Sequence, residues 1–292
     1  MSAETIWGLA RAVLIGLLLV ILLLRVFEDR FIFFPEPSRP SDLTPEQAGV
    51  KVEDVLITTG DGVRIHTWWA PSYAKPPEGK EAPNAACTIL YFHGNAGNLS
   101  LRLPNIGWLR ELPANVLAVD YRGYGKSEGN PSEEGVYRDA EAAYDYLTRE
   151  RKIPAEHIVV LGQSLGTAVA VDLASKRSVA AVILEAGFPS AKRVAQQAMG
   201  LPGLGWIVRA RFDSTAKLKS IRVPVLVAHC REDSVMPFVL GEELYAAANS
   251  PKQFVAYAGD CHEPLYTANP DDYAAKLRTF LGLATKTQRH ED

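Results

Sequence analysis

The amino-acid sequence predicts an α/β fold of three layers, in which helices cover both faces of a mostly parallel sheet. From residue 87 onward, short and nearly continuous apolar runs alternate with helical patterns, as is typical of parallel strands buried on both faces. Two earlier apolar runs flank Asp61-Gly62, a turn signal that predicts an antiparallel start to the sheet. A long apolar stretch at the N terminus predicts one transmembrane helix before the sheet.

Residues 1–34 are predicted to form a membrane anchor with an interfacial segment. From Ile6 to Leu24 the residues are apolar or small except Arg11, and at ~1.5 Å per residue this run approaches the ~30 Å thickness of the hydrocarbon core. A cleaved signal peptide is the alternative, but no small-x-small cleavage site follows. The aromatic residues after the run are typical of a membrane–water interface. They are Phe27, Phe31, Phe33 and Phe34.

Residues 35–51 are rich in proline, serine and charge, which favours a linker or a first wrap around the domain. The domain is expected over residues 52–283, and the polar residues 284–292 are expected to form a frayed tail. Residues 187–220 form an insertion whose apolar side chains are interrupted by glycine and proline. This pattern fits a small lid or acyl-binding wall, or else an ordinary pair of packed helices.

The elements of the domain follow from the apolar patterns, and residues 71–85 between them are predicted to be a surface loop. The predicted strands are Val52–Thr58, Val63–Ala70, Cys87–Phe92, Val116–Asp120, Ile158–Gly162, Val179–Glu185, Val223–Cys230 and Gln253–Tyr257. The predicted helices are Leu99–Leu112, Glu133–Arg151, Ser164–Ser175, Val239–Asn249 and Pro270–Leu283.

Composition and motifs argue against several classes of function. The net charge of -3 gives no basic field for nucleic acid, and no C-x-x-C or H-E-x-x-H pattern occurs, so no metal is expected. Gly125-Lys126-Ser127 ends like a phosphate-binding loop, but Asp120 stands where the first glycine of that loop belongs. The dinucleotide pattern fails at Glu128, so the sequence predicts no nucleotide and no cofactor.

The main chemical signal is the pentapeptide Gly162-Gln163-Ser164-Leu165-Gly166, placed between a predicted strand and a predicted helix. Glycines on both sides of a serine let the backbone turn sharply without a side-chain clash. Such a turn holds the serine at the carboxyl end of the sheet, where α/β sheets bind ligands. Five residues alone occur often by chance, and the strand before and the helix after give the pattern its weight. Ser164 is the predicted nucleophile.

A serine nucleophile needs a base that takes its proton and a third group that orients the base. His262 lies just past the last predicted strand and is the predicted base, while Asp233 lies three residues past Cys230 and is the predicted acid. Glu232 and Glu185 are alternatives to Asp233. A structural or exposed role is favoured for the remaining histidines. These are His66, His93, His157, His229 and His290.

Acyl transfer also needs donors for the oxyanion, each worth roughly 3–4 kcal/mol. The backbone N–H of Leu165, the residue after the nucleophile, is one predicted donor. The loop His93-Gly94-Asn95-Ala96-Gly97 follows a strand and supplies the other. The N–H of Asn95 is the predicted choice there, with Ala96 as the alternative.

Five segments together resemble the α/β-hydrolase superfamily over residues 52–283, and in particular its membrane-anchored serine hydrolases of the alpha/beta-hydrolase-domain type. They read H-G-N-A-G, D-Y-R-G-Y-G-K-S, G-Q-S-L-G, E-D-S-V-M-P and D-C-H. That group includes protein depalmitoylases and lipid esterases. The resemblance implies the α/β-hydrolase fold and a serine hydrolase that cleaves carboxylic esters or thioesters of small-molecule or acylated substrates. The predicted anchor and the apolar insertion suggest a lipid or acylated substrate near a membrane. A serine peptidase or amidase with the same triad, and a non-catalytic membrane-tethered binding protein, remain alternatives.

The sequence departs from the family pattern at two cysteines. Cys230 follows His229 where the family usually has glycine, and Cys261 precedes His262 where it often has glycine. Both cysteines then lie at the ends of the last two strands, which are neighbours in this fold. We therefore expect that they can pair as a disulfide, which would favour a catalytic domain outside the cytoplasm. Cys87 is expected to be a core residue.

Overall fold

A computed structural model describes residues 2–73, 87–199, 209–262 and 264–287 of the chain. Its strands are β1 (Glu53–Thr58), β2 (Arg64–Ala70), β3 (Cys87–Phe92), β4 (Ala114–Val119), β5 (Ile158–Gln163), β6 (Ala181–Glu185), β7 (Val225–Cys230) and β8 (Lys252–Tyr257). Its helices over the same ranges are α1 (Ala3–Val26), α2 (Glu28–Ile32), α3 (Leu103–Leu109), α4 (Glu133–Asp145), α5 (Leu165–Lys176), α6 (Ala191–Met199), α7 (Ser214–Leu218), α8 (Phe238–Ala247) and α9 (Pro270–Thr287).

The strands form one 8-stranded sheet in the order β1-β2-β4-β3-β5-β6-β7-β8. The first three strands in this order pair antiparallel, and all later pairs are parallel. The predicted hairpin at Asp61-Gly62 is confirmed, because β1 and β2 pair there and Gly62 adopts a φ of +85°. The sequence therefore predicts both the parallel sheet and its antiparallel start.

Helices cover both faces of the sheet and form two apolar layers with it. Leu90 and Phe92 of β3 point into one layer, which also holds apolar side chains of α4, α5 and α8. Ile89 and Tyr91 point into the other layer with side chains of α3 and α9. Because successive side chains of a strand alternate between faces, one apolar run supplies both layers. This is the predicted three-layer architecture.

Two predicted helices end earlier than the sequence pattern indicates. The segment expected as Leu99–Leu112 begins with a 3₁₀ turn over Leu99–Arg102, and α3 follows with Pro104 in its first turn, where a missing N–H costs least. The segment expected as Glu133–Arg151 leaves the α-helical pattern at Asp145 and closes with a π turn. Neither change moves a residue of the predicted triad.

The N-terminal helix α1 contains a stretch, Ala3–Leu23, that is long and apolar enough to cross a membrane, and none of that stretch is buried against the domain. The short helix α2 follows it. Phe33, expected at a membrane interface, is instead 2% exposed and belongs to the core of the domain. The interfacial prediction was wrong for this residue because its aromatic partner, Phe212, is distant in sequence.

Residues 35–38 pair with two loops of the domain. Of the two predictions for this segment, a linker or a first wrap around the domain, the wrap is therefore the one that these four residues adopt. Pro35 bridges Gly97, and Pro37 bridges Gly125. The prolines alternate with Glu36 and Ser38, whose N–H groups donate to those two glycine carbonyls at 3.4 and 3.0 Å. Proline thus occupies only positions that need no donor.

The predicted insertion 187–220 contains α6 and α7, and its middle, residues 200–208, lies outside the described residues. Most of the predicted surface loop 71–85, namely residues 74–85, lies outside them as well. Helix α9 continues to Thr287, so the predicted tail 284–292 begins within a helix. The end of that tail, residues 288–292, is not among the described residues.

Candidate active site

Ser164 stands on the sharp turn between β5 and α5, with φ 50° and ψ -115°. This backbone conformation is rare for a residue with a side chain and is typical of the nucleophile elbow. Two hydrogen bonds hold the turn. The Ser164 N–H donates to the carbonyl of Glu185 at 2.9 Å, and the Thr167 hydroxyl donates to the carbonyl of Ser164 at 2.6 Å. The serine is therefore fixed at the carboxyl end of the central strands.

The glycines around Ser164 are required by close backbone contacts. A Cβ atom at Gly162 would lie 2.2 Å from the carbonyl oxygen of Gly166, and one at Gly166 would lie 2.0 Å from the carbonyl oxygen of Phe92. Neither neighbour is a side chain that could rotate away. The two glycines thus let α5 approach β5 and β3 closely enough to form the elbow.

The structure brings together the three predicted triad residues from three separate elements. His262 Nε2 lies 3.1 Å from the Ser164 hydroxyl, and His262 Nδ1 lies 2.8 Å from Asp233 Oδ2. Ser164 and Asp233 are each 6% exposed. The order of contacts is serine, histidine and carboxylate, the arrangement that serves proton transfer from a hydroxyl.

The carboxylate of Asp233 is oriented by its own loop. Its Oδ1 accepts hydrogen bonds from the N–H groups of Val235 and Met236 at 2.9 and 2.7 Å, so Oδ2 is turned toward His262. The alternative acids have other partners. Glu232 accepts from the Gly259 N–H, and Glu185 accepts from the Tyr273 hydroxyl at 2.7 Å. This geometry favours Asp233 over both glutamates.

The buried side chain of His229 contacts the loop that carries Asp233. Its Nε2 lies 2.7 Å from the carbonyl oxygen of Met236 and 3.4 Å from Asp233 Oδ2. Burial lowers the pKa of His229, against opposing effects of the Met236 hydrogen bond and the Asp233 charge. A neutral imidazole then donates its Nε2–H to the Met236 carbonyl. The sequence indicated a structural role for this histidine but not which loop it supports.

The loops that carry Asp233 and His262 are joined covalently. Cys230 and Cys261 form a disulfide with their Cα atoms 5.7 Å apart, within the usual range for such bonds. Cys87, in contrast, is a buried free thiol in β3, as the sequence predicts. The two departures from the family pattern are therefore one feature, a covalent link between the loop of Asp233 and the loop of His262.

The two predicted oxyanion donors are the backbone amides of Leu165 and Asn95. Leu165 opens α5, so its N–H has no partner within the helix. Within the described ranges, neither this N–H nor that of Asn95 donates to a protein acceptor. The N–H of Ala96 is already occupied, since it donates to the side-chain oxygen of Asn95 at 3.0 Å. This difference favours Asn95 over Ala96 as the second donor.

The loop of the predicted oxyanion donor is braced by a buried polar cluster. His93 Nε2 lies 3.3 Å from Asp120 Oδ1, and the Tyr121 hydroxyl donates to the His93 carbonyl at 2.8 Å. These contacts give His93 a structural role in the loop, in agreement with the choice of His262 and not His93 as the predicted base. Among the described residues, no group of three or more histidine, cysteine, aspartate or glutamate side chains is placed to hold a metal ion.

Known proteins share this architecture. The sequence profile of the alpha/beta hydrolase fold family matches residues 88–206. The chain is 32% identical over 294 residues to the alpha/beta hydrolase domain-containing protein WAV2 of Arabidopsis thaliana, with 92% of each chain covered. It is 35% identical over 247 residues to the protein YfhR of Salmonella typhi, with 80% of each chain covered.

Solved structures agree with the sequence relatives at the level of the fold. An esterase of Pyrococcus furiosus matches with a TM-score of 0.68 and 21% identity, over 86% of this chain and 99% of that chain. At this identity the likeness concerns the fold alone. The 32% identity to WAV2 over 92% of each chain shows that the chain belongs to the alpha/beta hydrolase fold family, whose sequence profile matches residues 88–206.

Proposed function

We propose that this protein is a serine hydrolase that cleaves carboxylic esters or thioesters through an acyl-enzyme. The observation that carries the proposal is the continuous line of contacts from the Ser164 hydroxyl through the two nitrogens of His262 to Asp233. A fold of this family accommodates many activities, so the argument rests on the site and not on the fold. The esterase in the comparison is consistent with ester chemistry.

The chemistry follows from the positions of the protons. With Nδ1–H donated to Asp233, the Nε2 of His262 is free to accept the Ser164 proton as the hydroxyl oxygen attacks the substrate carbonyl. The developing oxyanion is stabilised by the amides of Leu165 and Asn95. The imidazolium then protonates the leaving alcohol or thiol. Water deprotonated by the same nitrogen hydrolyses the acyl-enzyme and regenerates Ser164.

We also propose that the substrate is a lipid or an acylated molecule met at a membrane. Helix α1 would serve as an uncleaved single-pass anchor, since it satisfies the length and composition of a membrane span. The disulfide between Cys230 and Cys261 favours an oxidising compartment for the domain. The catalytic domain would then act on the non-cytoplasmic side of the membrane.

The nucleophile is tested by labelling with a fluorophosphonate probe. Wild-type protein is expected to be labelled, and Ser164→Ala is expected to lose both labelling and roughly 10⁵–10⁶-fold of kcat. Ser175→Ala, at the far end of the same helix, is the matched control and keeps its label. Equal labelling of wild type and Ser164→Ala would overturn the assignment of the nucleophile.

The substrate class is tested with nitrophenyl esters of increasing acyl length, followed by matched thioesters and amides. Activity that rises with chain length supports the lipid proposal, whereas a preference for the shortest esters contradicts it. An amide that turns over faster than its matching ester would indicate the peptidase or amidase alternative.

A further inference from the structure

The segment that joins α1 to the domain reaches the predicted oxyanion loop. We propose that residues 28–38, here called the strap, position the backbone amide of Asn95 for catalysis, and that the side chain of Asn95 is the contact through which they act. This inference rests on the proposed function and assigns Asn95 a second part, as a positioning residue. The strap is then a working part of the active site as well as a connection to the anchor.

The oxyanion loop needs support from outside because its backbone is held in an unfavourable conformation. Ala96 and Gly97 have successive φ values of +64° and +73°, and a positive φ costs a residue with a side chain about 1–2 kcal/mol. The guanidinium of Arg102 donates to the Ala96 carbonyl at 3.0 Å. The strap supplies a further contact, since the N–H of Glu36 donates to the Gly97 carbonyl at 3.4 Å.

The side chain of Asn95 connects the strap to this loop with both of its polar atoms. Its Oδ1 accepts hydrogen bonds from the Phe34 N–H at 3.1 Å, the Ala96 N–H at 3.0 Å and the Tyr124 hydroxyl at 2.8 Å. Its Nδ2 donates to the carbonyl of Ile32. The side-chain amide of Asn95 thus binds the strap at the two residues that flank Phe33, through the carbonyl of Ile32 and the N–H of Phe34. The backbone N–H of the same asparagine is the predicted oxyanion donor.

The strap can hold the loop because it is itself fixed to the domain. The side chain of Phe33 is buried edge-on against Phe212, with ring centroids 6.1 Å apart. The buried carboxylate of Glu28 accepts hydrogen bonds from the N–H groups of Arg209 and Ala210 at 2.8 and 2.7 Å. One anchor precedes the Asn95 contacts and the other lies between them, so both resist displacement of the strap.

Loss of the strap contact is expected to affect the oxyanion donor selectively. Ser164, His262 and Asp233 are held by β5, β7 and β8 and by the disulfide, and none of these contacts includes a strap residue. Stabilisation of the oxyanion acts in the transition state, so its loss lowers kcat more than it raises KM. This pattern separates positioning of the donor from general loosening of the substrate site.

The test uses two substitutions at Phe34 in the full chain, solubilised in detergent. Phe34→Pro removes the N–H that donates to Asn95, whereas Phe34→Ala keeps it and shortens only a side chain that is 55% exposed. The Pro variant is expected to react with the fluorophosphonate probe on the order of tenfold more slowly than the Ala variant, a partial loss of one oxyanion donor. With a nitrophenyl acetate, kcat is expected to fall by the same factor while KM stays within about twofold.

Coupling through Asn95 gives a second readout. If the strap acts through this side chain, the double variant Asn95→Ala/Phe34→Pro is labelled no more slowly than Asn95→Ala alone. The reason is that both substitutions remove the same hydrogen bond, between the Phe34 N–H and the side chain of Asn95. Additive losses of labelling rate in the double variant would contradict the inference.

If thermal unfolding shows that Phe34→Pro does not fold, Asn95→Asp tests the link between Asn95 and the strap, since it replaces the donor to the Ile32 carbonyl with an oxygen. A labelling rate equal to wild type in that variant would overturn the proposal.

The outcomes also separate this inference from the proposed function. Equal labelling rates for Phe34→Pro and Phe34→Ala, with labelling still dependent on Ser164, would reject the strap and leave the hydrolase intact. Labelling that persists in Ser164→Ala would reject the hydrolase assignment itself.

Discussion

His229 shows how a buried side chain outside the proposed triad can set the position of a residue within it. It lies under the loop of Asp233, donates to the Met236 carbonyl and packs against Gly241, where a Cβ atom would come within 2.3 Å of His229 Nδ1. No larger residue fits at that glycine while the imidazole keeps its place. Asp233, the proposed acid, is thus supported by a histidine that takes no part in the proposed proton transfer.

The buried His229 predicts a dependence of stability on pH. Burial lowers its pKa below the ordinary value of 6.5, so below pH ~6.5 the unfolded chain binds more protons than the folded one and the free energy of unfolding falls. The neighbouring charge of Asp233 opposes this shift, and His262 adds to it. Urea unfolding at about pH 7 and pH 5 is expected to show a larger loss in wild type than in His229→Gln. Equal losses in the two proteins would contradict the prediction.

At the scale of elements, the loop that follows β4 is held to α4 by Arg122. This guanidinium donates to Asp139 at 2.9 Å and also binds Asp61 of the hairpin turn. Asp139 is fully buried, and burial raises its pKa against the effect of Arg122. The guanidinium of Arg122 therefore joins the loop, the hairpin and α4, and its positive charge balances the buried carboxylate of Asp139.

Removal of Arg122 is expected to destabilise the domain strongly. Arg122→Ala would keep the backbone N–H that donates to Asp139 but leave this buried carboxylate without its cation, at a cost of roughly 3–5 kcal/mol in the free energy of unfolding. Arg138→Ala is the matched control, because Arg138 also binds Asp61 but is about half exposed, and its loss is expected to cost at most about 1 kcal/mol. Denaturant titrations of both variants give the comparison. Similar losses in the two would show that burial of Asp139 is not the cause.

The sequence predicts the elements and the proposed triad for a physical reason. The central strands are apolar on both faces, and in a parallel sheet the loops after the strands meet at one edge, so Ser164, Asp233 and His262 could be placed together from their positions alone. Phe33 could not be placed in this way. An aromatic residue beside an apolar helix suits a membrane interface as well as a core, and only the distant Phe212 decides between them.

The side-chain contacts of Asn95 were equally inaccessible to sequence reasoning, because its partners Ile32 and Phe34 bind through backbone atoms that any residue carries. One signal was present in the alternation Pro35-Glu36-Pro37-Ser38. A stretch in which every second N–H is missing suits an extended segment paired on one side, as it is here with Gly97 and Gly125. The same prolines also suit a linker, which is why the pattern alone left both readings open.

At the scale of the whole molecule, the state of the three cysteines predicts a thiol count. Burial raises the pKa of Cys87 to about 12, so the folded, unreduced protein is expected to take up no alkylating reagent. Unfolding without a reductant exposes one thiol, and unfolding with a reductant exposes all three. Mass spectrometry after alkylation counts them, and Cys87→Ser is the control that reads zero without reductant. Three thiols without reductant would show that Cys230 and Cys261 are not paired.

The close approach at Gly162 and Gly166 also bears on how such a protein can diversify. Both contacts run from backbone to backbone, so the close approach of α5 to β5 and β3 depends on main-chain atoms more than on the apolar side chains of the surrounding core. Substitutions that reshape the walls of the site can then accumulate without shifting the attacking oxygen. The proposed nucleophile would remain constant while the range of acyl groups that the proposed hydrolase accepts is free to change.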